Sequence, residues 1–194
     1  MKLNSTIAIR CIQQTAQYTI QNVLFLTMLW TYCGAQDVGH IENSKYEKYR
    51  EKFGVDCLLE KVTDNTGEGF DELYGTRNLR VVLHGVAYRG GGNNYYHKTN
   101  KRPNKNPLPN DGLENLLLNG FSSSIYLYSE NFESAPRFLT NEEQDTLNYY
   151  QIGGNNEQEV DSILKMTYEA ITNQKIGPIY FHCWNGWHQS GFVS

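Results

Sequence analysis

The chain has no internal repeat and no block of like charge. Of its 194 residues, 17 are Lys or Arg and 21 are Asp or Glu, which gives a formal net charge of -4. A nucleic-acid-binding protein usually carries a basic patch, so this mild acidity argues against that class. The length allows one ordinary domain with additional segments. An aromatic content of 13% allows a substantial core.

A long apolar run is missing as well. The apolar residues 23–30 are fewer than the ~20 that span a bilayer, so we expect no membrane span in the mature chain. Only two charges, both basic, precede Asp37, and residues 33–35 (CGA) are small. This order predicts a signal peptide at residues 1–35 and an exported protein, periplasmic or secreted. The alternative is a buried N-terminal helix.

Cysteine is scarce. The four cysteines are Cys11, Cys33, Cys57 and Cys183. Cleavage after residue 35 leaves the last two, which can pair in an oxidising compartment. One pair does not make a disulfide scaffold, and the sequence does not determine whether the two meet. Pairing would inactivate Cys183 if that thiol is chemically active.

Residues 36–75 are polar and predict an N-terminal extension that lies against a main domain, residues 76–194. Within the extension, residues 42–54 (ENSKYEKYREKFG) predict a short helix. One face of this helix carries three aromatic residues at helical spacing: Tyr46, Tyr49 and Phe53.

The main domain alternates strands and helices. Strands are predicted at residues 81–83, 85–89, 122–129 and 179–183, and helices at residues 110–120, 140–150 and 155–174. At the end of the second helix, residues 148–152 (NYYQI) can turn into a further strand. This alternation favours an α/β fold with a largely parallel central sheet flanked by helices.

Each predicted helix has its own signal. The first has Asn110 or Asp111 as its N-cap and an apolar face. In the second, Thr140 and Glu143 match a capping box. The third has the most regular apolar spacing. The apolar faces consist of Leu113, Leu116 and Leu117 in the first helix, and of Val160, Ile163, Leu164, Thr167 and Ile171 in the third.

Residues 90–111 form a long loop by composition, rich in Gly, Asn and Pro. Its basic residues are Lys98, Lys101, Arg102 and Lys105. Loops of this length in a compact domain are often functional. A basic lid over an anionic substrate and a solvated surface loop are both compatible with this composition.

His182 and Cys183 end the last strand, and ligand sites of parallel sheets lie at the carboxyl ends of strands. The stretch HCWNGWHQSG, residues 182–191, resembles the signature loop of the cysteine-dependent phosphatases, the protein tyrosine and dual-specificity superfamily. Their pattern is His-Cys, five residues, then Arg and Ser or Thr, usually with a Gly three residues after the Cys. Gly186, Ser190 and Gly191 match in register. The similarity extends over residues 76–194.

The resemblance implies a function for each position of the loop. Backbone N–H groups curl around an anion, and the same field lowers the pKa of the cysteine, whose thiolate is the nucleophile. Cys183 is then the nucleophile, Ser190 assists thiolate departure, and His182 orients the loop. The residues implied in phosphate binding are Trp184, Asn185, Gly186, Trp187, His188 and Gln189. The partner implied is a phosphorylated protein or small molecule, and no cofactor is needed.

Gln189 departs from the pattern, because it stands where the family has its arginine. That arginine clamps two phosphate oxygens with a charged planar fork, whereas Gln189 offers one neutral amide. Losing a single oxyanion donor costs a factor of ~10² to 10³ in rate. Arg89, His188 or the basic loop are candidates for a substitute cation.

Two further positions depart from the family. The general acid is usually an Asp about thirty residues before the Cys, where this chain offers Glu157 and Asp161; Glu157 is the candidate, because Asp161 is expected to face solvent. The family also continues with a buried helix after the loop, whereas this sequence ends at Ser194, so the phosphatase-like domain is expected to be incomplete at its C-terminus.

Four interpretations of Cys183 stay open. The first is an exported enzyme that hydrolyses a phosphate monoester, and the second is an inactive pseudophosphatase that binds phosphate or a protein. A zinc site is disfavoured, because adjacent His182 and Cys183 point to opposite sides of a strand. A buried structural thiol is the fourth. Trp184 and Trp187 either form aromatic walls for a substrate or simply pack.

Overall fold

Residues 44–56, 59–66, 68–92 and 107–194 are described by a computed structural model. The predicted signal peptide (residues 1–35), Cys57 and the basic residues of the long loop lie outside these ranges. Within them, no helix combines the length and apolar character that crossing a membrane requires.

Strands and helices follow one another along the described chain. In order they are α1 (Lys45–Phe53), a 3-10 helix (Asp71–Leu73), β1 (Arg77–Leu83), β2 (Ala87–Gly91), α2 (Asn110–Leu118), β3 (Ser123–Tyr126), β4 (Phe138–Thr140), β5 (Thr146–Gln151), α3 (Glu157–Thr172), β6 (Ile179–Cys183) and α4 (Gln189–Val193).

The strands form one six-stranded sheet with the order β1-β2-β6-β3-β5-β4. The four central strands run parallel, and each edge strand pairs antiparallel with its neighbour. The predicted α/β class is therefore confirmed, with a mixed sheet that is parallel at its centre. β6, the apolar strand IYFHC, lies between β2 and β3 and is buried along its length.

Two apolar clusters cover the two faces of the sheet. The first joins α1 and α2 to strand residues such as Tyr88 and Tyr180. The second joins Ile163 of α3 to Phe181 of β6. β6 contributes to both clusters because successive side chains of a strand point to opposite faces. The described part of the predicted extension also contributes to the first cluster through Tyr49, Phe53, Val62 and Leu73.

α1 confirms the predicted short helix. The Ser44 hydroxyl accepts a hydrogen bond from the N–H of Glu47 at the start of the helix, and Gly54 ends it with a φ of 63°. Tyr49 and Phe53 are buried, whereas Tyr46 is 40% exposed and touches His84 edge-on.

The helix predicted at residues 140–150 is wrong, because this segment is the β4–β5 hairpin. The Asn141 side chain accepts from the N–H of Asp145, and the Asn141 N–H donates to the Asp145 carbonyl. Gln144 adopts a φ of 68° in the turn. These contacts close a turn where Thr140 and Glu143 suggest a capping box. The strand predicted at residues 148–152 corresponds to β5.

α2 and α3 form as predicted, but two details differ. Pro109 occupies the N-cap position of α2 in place of Asn110 or Asp111, and no side chain caps this helix end. α3 buries Ile163 and Ala170. Of the apolar face predicted for α3, Val160, Leu164 and Ile171 are exposed, because the stripe that contacts the sheet runs through Ile163 and Ala170.

Candidate active site

Cys183 is the last residue of the central strand β6. Gly91 of β2 is its partner in the parallel register, and Tyr126 of β3 is the partner of His182. Residues 183–190 form a tight turn that joins the end of β6 to the start of α4, called here the Cys183 loop. The predicted site therefore lies at the carboxyl edge of the parallel strands, where such sheets bind ligands.

The Cys183 thiol is free and only 2% exposed. The Gly186 N–H donates to its sulfur with an N···S distance of 3.3 Å, and the Ser190 hydroxyl lies 3.5 Å from it. Burial raises the pKa of this thiol. Hydrogen bonds from Ser190 and from the backbone of Gly186 and Trp187 favour the thiolate more strongly, so the pKa lies below its ordinary value.

His182 is buried on the other face of the strand. Its ring stacks against Tyr126 and Tyr180 at centroid distances of 5.2 and 5.8 Å. Its Nδ1 lies 3.3 Å from the Cys183 carbonyl oxygen, and its Nε2 lies 2.8 Å from the Tyr149 hydroxyl. A carbonyl only accepts, so Nδ1 carries the hydrogen and Nε2 accepts from Tyr149. The opposite orientations of His182 and Cys183 agree with the predicted strand geometry.

The outer side of the Cys183 loop is held by β1. The Asn78 amide nitrogen donates to the Asn185 carbonyl oxygen at 2.8 Å, and Arg77 Nη1 donates to Asn185 Oδ1 at 2.6 Å. Asn78 is fully buried and has a φ of 50°. Its left-handed conformation coincides with an irregularity in the β1–β2 register between Arg77 and Arg80. Asn78 therefore contacts the loop from a bulged part of the strand.

The end of β2 touches the loop backbone to backbone. A Cβ added to Gly186 would lie 2.6 Å from the Gly90 carbonyl carbon and 2.8 Å from the Gly91 nitrogen. Gly186 also has a φ of 75°. Glycine is therefore required at position 186 for its conformation and for the close approach of the two segments.

Arg89 lies beside the loop, as its candidacy for a substitute cation requires. Its Nη1 donates to the Gly186 carbonyl oxygen at 3.3 Å, and it lies next to Gly191. Burial and the like charge of Arg80 lower the pKa of Arg89, and the nearby Cys183 opposes this shift only in part. A guanidinium stays charged in proteins, so a positive charge adjoins the thiol.

Gln189 contacts a different segment. Its amide nitrogen lies 3.0 Å from the Gly153 carbonyl oxygen and 3.0 Å from Asn155 Oδ1. Both contacts hold the connection between β5 and α3 against the Cys183 loop. The side-chain donors of Gln189 are thereby engaged outside the loop.

The two tryptophans of the Cys183 loop, Trp184 and Trp187, have different surroundings. Trp184 is partly buried and packs against Tyr128 at a centroid distance of 5.9 Å. Trp187 is 58% exposed. His188 is also exposed and forms the N-cap of α4 without a side-chain cap. Packing therefore accounts for Trp184 and leaves Trp187 facing solvent.

The general-acid candidate Glu157 is exposed on the first turn of α3 and follows the segment that Gln189 holds. Asp161 is exposed, as predicted. The described residues contain no group of three or more His, Cys, Asp or Glu that could hold a metal ion.

Three residues of the site were missed in the sequence. Arg77 and Asn78 begin β1, before the apolar residues that predict a strand, and carry no motif of their own. Tyr149 belongs to the segment whose hairpin was mistaken for a helix; the alternation of buried Leu147 and Tyr149 with more exposed neighbours is the signal that identifies the strand. These residues act through contacts distant in sequence, which a local pattern does not contain.

Comparison with known protein families, with curated proteins and with solved structures finds no match to this chain. The functional interpretation therefore depends on the chemistry of the site.

Proposed function

We propose that the chain hydrolyses a phosphate monoester with Cys183 as nucleophile, as an exported relative of the cysteine-dependent phosphatases. The observation that carries the proposal is the environment of the thiol: a buried cysteine with a lowered pKa, contacted by the Gly186 N–H and the Ser190 hydroxyl. A buried structural thiol in apolar surroundings has a raised pKa instead.

The reaction proceeds in two displacements. In the first, the Cys183 thiolate attacks phosphorus, an S–P bond forms, and the ester P–O bond breaks. The leaving oxygen takes its proton from water or from an acid such as Glu157. In the second, water attacks phosphorus, the S–P bond breaks, and inorganic phosphate leaves. Cleavage of the S–P bond restores the thiolate, and the Ser190 hydroxyl stabilises the departing sulfur with a hydrogen bond.

The negative charge of the phosphoryl group is met by backbone N–H groups of the Cys183 loop and by the positive charge of Arg89. Preorganised donors of this kind stabilise charge that develops in a transition state. Because Arg89 also bonds to the Gly186 carbonyl, its charge is held in place, but it does not provide the bidentate fork that the family's arginine gives.

A second candidate function is a pseudophosphatase that binds an anion without turnover. The contacts of Gln189 favour it: the side chain that replaces the arginine donates to Gly153 and Asn155 and not toward the loop. Such a protein keeps the anion site and has lost the group that clamps the transferring phosphoryl.

Hydrolysis of 4-nitrophenyl phosphate by the full chain tests the proposal, with Cys183→Ser, Gln189→Arg and the double variant beside it. Turnover that Cys183→Ser abolishes supports the enzyme. If the wild-type chain is inactive, Gln189→Arg is active and the double variant is inactive, the chain is a pseudophosphatase. If neither the wild-type chain nor Gln189→Arg hydrolyses the ester, the phosphatase interpretation is contradicted.

A further inference from the structure

Three carbonyl oxygens of the Cys183 loop, those of Cys183, Asn185 and Gly186, accept hydrogen bonds from side chains on the outer side of the loop. The Cys183 oxygen receives His182 Nδ1 and the Gly92 N–H at 2.9 Å. The Asn185 oxygen receives the Asn78 amide, and the Gly186 oxygen receives Arg89. Residues of three neighbouring strands, β1, β2 and β6, therefore act on the same short turn.

A trans peptide is planar, and its C=O and N–H point in opposite directions. A donor that fixes the oxygen of one residue thereby fixes the direction of the N–H of the next residue. The Asn185 oxygen and the Gly186 N–H belong to one peptide unit. Asn78 holds the oxygen at 2.8 Å on the outer side, and the N–H donates to Cys183 Sγ at 3.3 Å on the inner side.

The same relation holds one residue later. Arg89 donates to the Gly186 oxygen, and the N–H of that peptide belongs to Trp187, whose backbone also stabilises the Cys183 thiolate. Arg89 therefore orients a peptide in addition to carrying charge.

We infer that Asn78 is a positioning residue for the Cys183 loop: its amide fixes the Asn185–Gly186 peptide so that the Gly186 N–H points at the sulfur and at any anion bound there. The inference deepens the proposed function and rests on it for the nature of the anion. The hydrogen bonds that Asn78 donates go to the carbonyl oxygens of Asn185 and Asp64, so its effect on the sulfur passes through the loop peptide.

The conformation of Asn78 supports a dedicated role. A φ of 50° is unfavourable for most residues that carry a side chain, although asparagine tolerates this region better than most residues. Its Oδ1 is buried without a partner among the described residues. The hydrogen bond from the Asn78 amide nitrogen to Asn185 therefore occurs at a position with two unfavourable features, the positive φ and the buried Oδ1.

Asn119 provides a matched control. It is also a buried asparagine whose amide nitrogen donates to backbone carbonyls, those of Glu72 and Asn115 at 2.8 Å each. Its Oδ1 is likewise without a partner among the described residues. It lies at the end of α2, outside the Cys183 loop, so its loss affects stability alone.

The test is a pH titration of the Cys183 thiolate by its absorbance at 240 nm, each variant being compared with the same variant carrying Cys183→Ser. Asn78→Gly keeps the positive φ and removes the donor. Asn78→Asp replaces the donor with an acceptor of the same shape and adds a negative charge that itself raises the thiol pKa, so Asn78→Gly is the decisive variant. We expect both to raise the thiol pKa, with about tenfold less thiolate at a pH below it, the equivalent of one charge-assisted hydrogen bond. Asn119→Asp should leave the titration unchanged.

A folded Asn78→Gly or Asn78→Asp variant that titrates like the wild type overturns the inference. A measurement on the unchanged protein is independent of how the variants fold: the Gly186 amide resonance should follow the ionisation of Cys183, and a resonance that does not move also overturns it.

Binding of inorganic phosphate, measured by calorimetry, separates this inference from the proposed function. A wild-type chain with an ordinary thiol pKa and no phosphate binding contradicts the proposed function itself. A wild-type chain with a lowered thiol pKa and bound phosphate, beside unaffected Asn78 variants, contradicts the role of Asn78 alone.

Discussion

The Tyr149 hydroxyl lies 2.8 Å from Nε2 of His182 and also accepts from the backbone N–H of Leu108 at 2.9 Å. It thereby joins β5, β6 and the segment before α2 beneath the Cys183 loop. Since His182 in turn contacts the Cys183 carbonyl, the hydroxyl of one tyrosine fixes the histidine that orients the first peptide of the loop.

Tyr149→Phe removes this hydroxyl from a buried network while keeping the ring. We expect a loss of about 1–3 kcal/mol in the free energy of unfolding, because buried polar groups lose a hydrogen-bond partner. Urea denaturation measures it. Tyr150→Phe is the control, since Tyr150 is 39% exposed, and its stability should change by less than about 0.5 kcal/mol. Equal effects of the two changes would contradict the network.

Gly186→Ala is expected to destabilise the chain more than Gly54→Ala. Both glycines have positive φ, 75° and 63°, so both substitutions carry about 1–2 kcal/mol of conformational cost. Nothing lies within 4 Å of a Cβ at Gly54, whereas at Gly186 it meets the backbone of Gly90 and Gly91. The overlap adds about 1–3 kcal/mol. Thermal unfolding of the two variants side by side gives the difference, and similar melting temperatures would argue against the close contact.

Arg89→Met is expected to weaken the binding of inorganic phosphate by about tenfold or more, since charged donors in a low-dielectric site are worth well over 1 kcal/mol. Arg89→Lys should recover part of the loss, because it restores charge without the planar fork. Arg137→Met serves as control, as Arg137 is exposed and stacks on Phe132. Calorimetry measures all three, and unchanged affinity in Arg89→Met would exclude this residue as the cation.

The lowered pKa of Cys183 makes stability depend on pH. A group whose pKa is lower in the folded state stabilises the fold fully above its unfolded pKa, about 8.5 for cysteine. This stabilisation is lost as the pH falls through the folded pKa. The stability of the wild type relative to Cys183→Ser should therefore increase as the pH rises toward about 8.5. Urea denaturation across this range shows it, and a constant difference would mean that Cys183 has an ordinary pKa.

The elements with regular local signals could be predicted from the sequence. The apolar run before His182 is a buried parallel strand, and α3 forms where the apolar periodicity predicts a helix, although it buries only Ile163 of the predicted face. The β4–β5 hairpin could not be distinguished in this way, because Thr140 and Glu143 have the spacing of a capping box. The hydrogen bonds between Asn141 and Asp145 and the pairing of β5 with β3 decide the conformation. The second of these depends on tertiary structure.

The residues of the site also fall into those with a local sequence signal and those without one. Cys183, Gly186 and Ser190 occupy fixed positions in one short segment, and the structure brings them into contact. Asn78 has no local signal, because its function depends on a left-handed backbone conformation and on a partner 107 positions away. The sequence does not predict the direction of the Gln189 side chain either, because that direction depends on where the segment after β5 lies.

The Cys183 loop presents backbone N–H groups, and only a substitution by proline deletes one of them. What a substitution can change is the orientation of the peptides, and the Asn78 amide and the Arg89 guanidinium set that orientation from β1 and β2. Under the proposed function, the affinity for an anion can therefore change without any change in the loop itself. Among homologous chains, an intact HCxxGxxxS stretch is a poor guide to activity unless the residues at the positions of Asn78 and Arg89 are read with it.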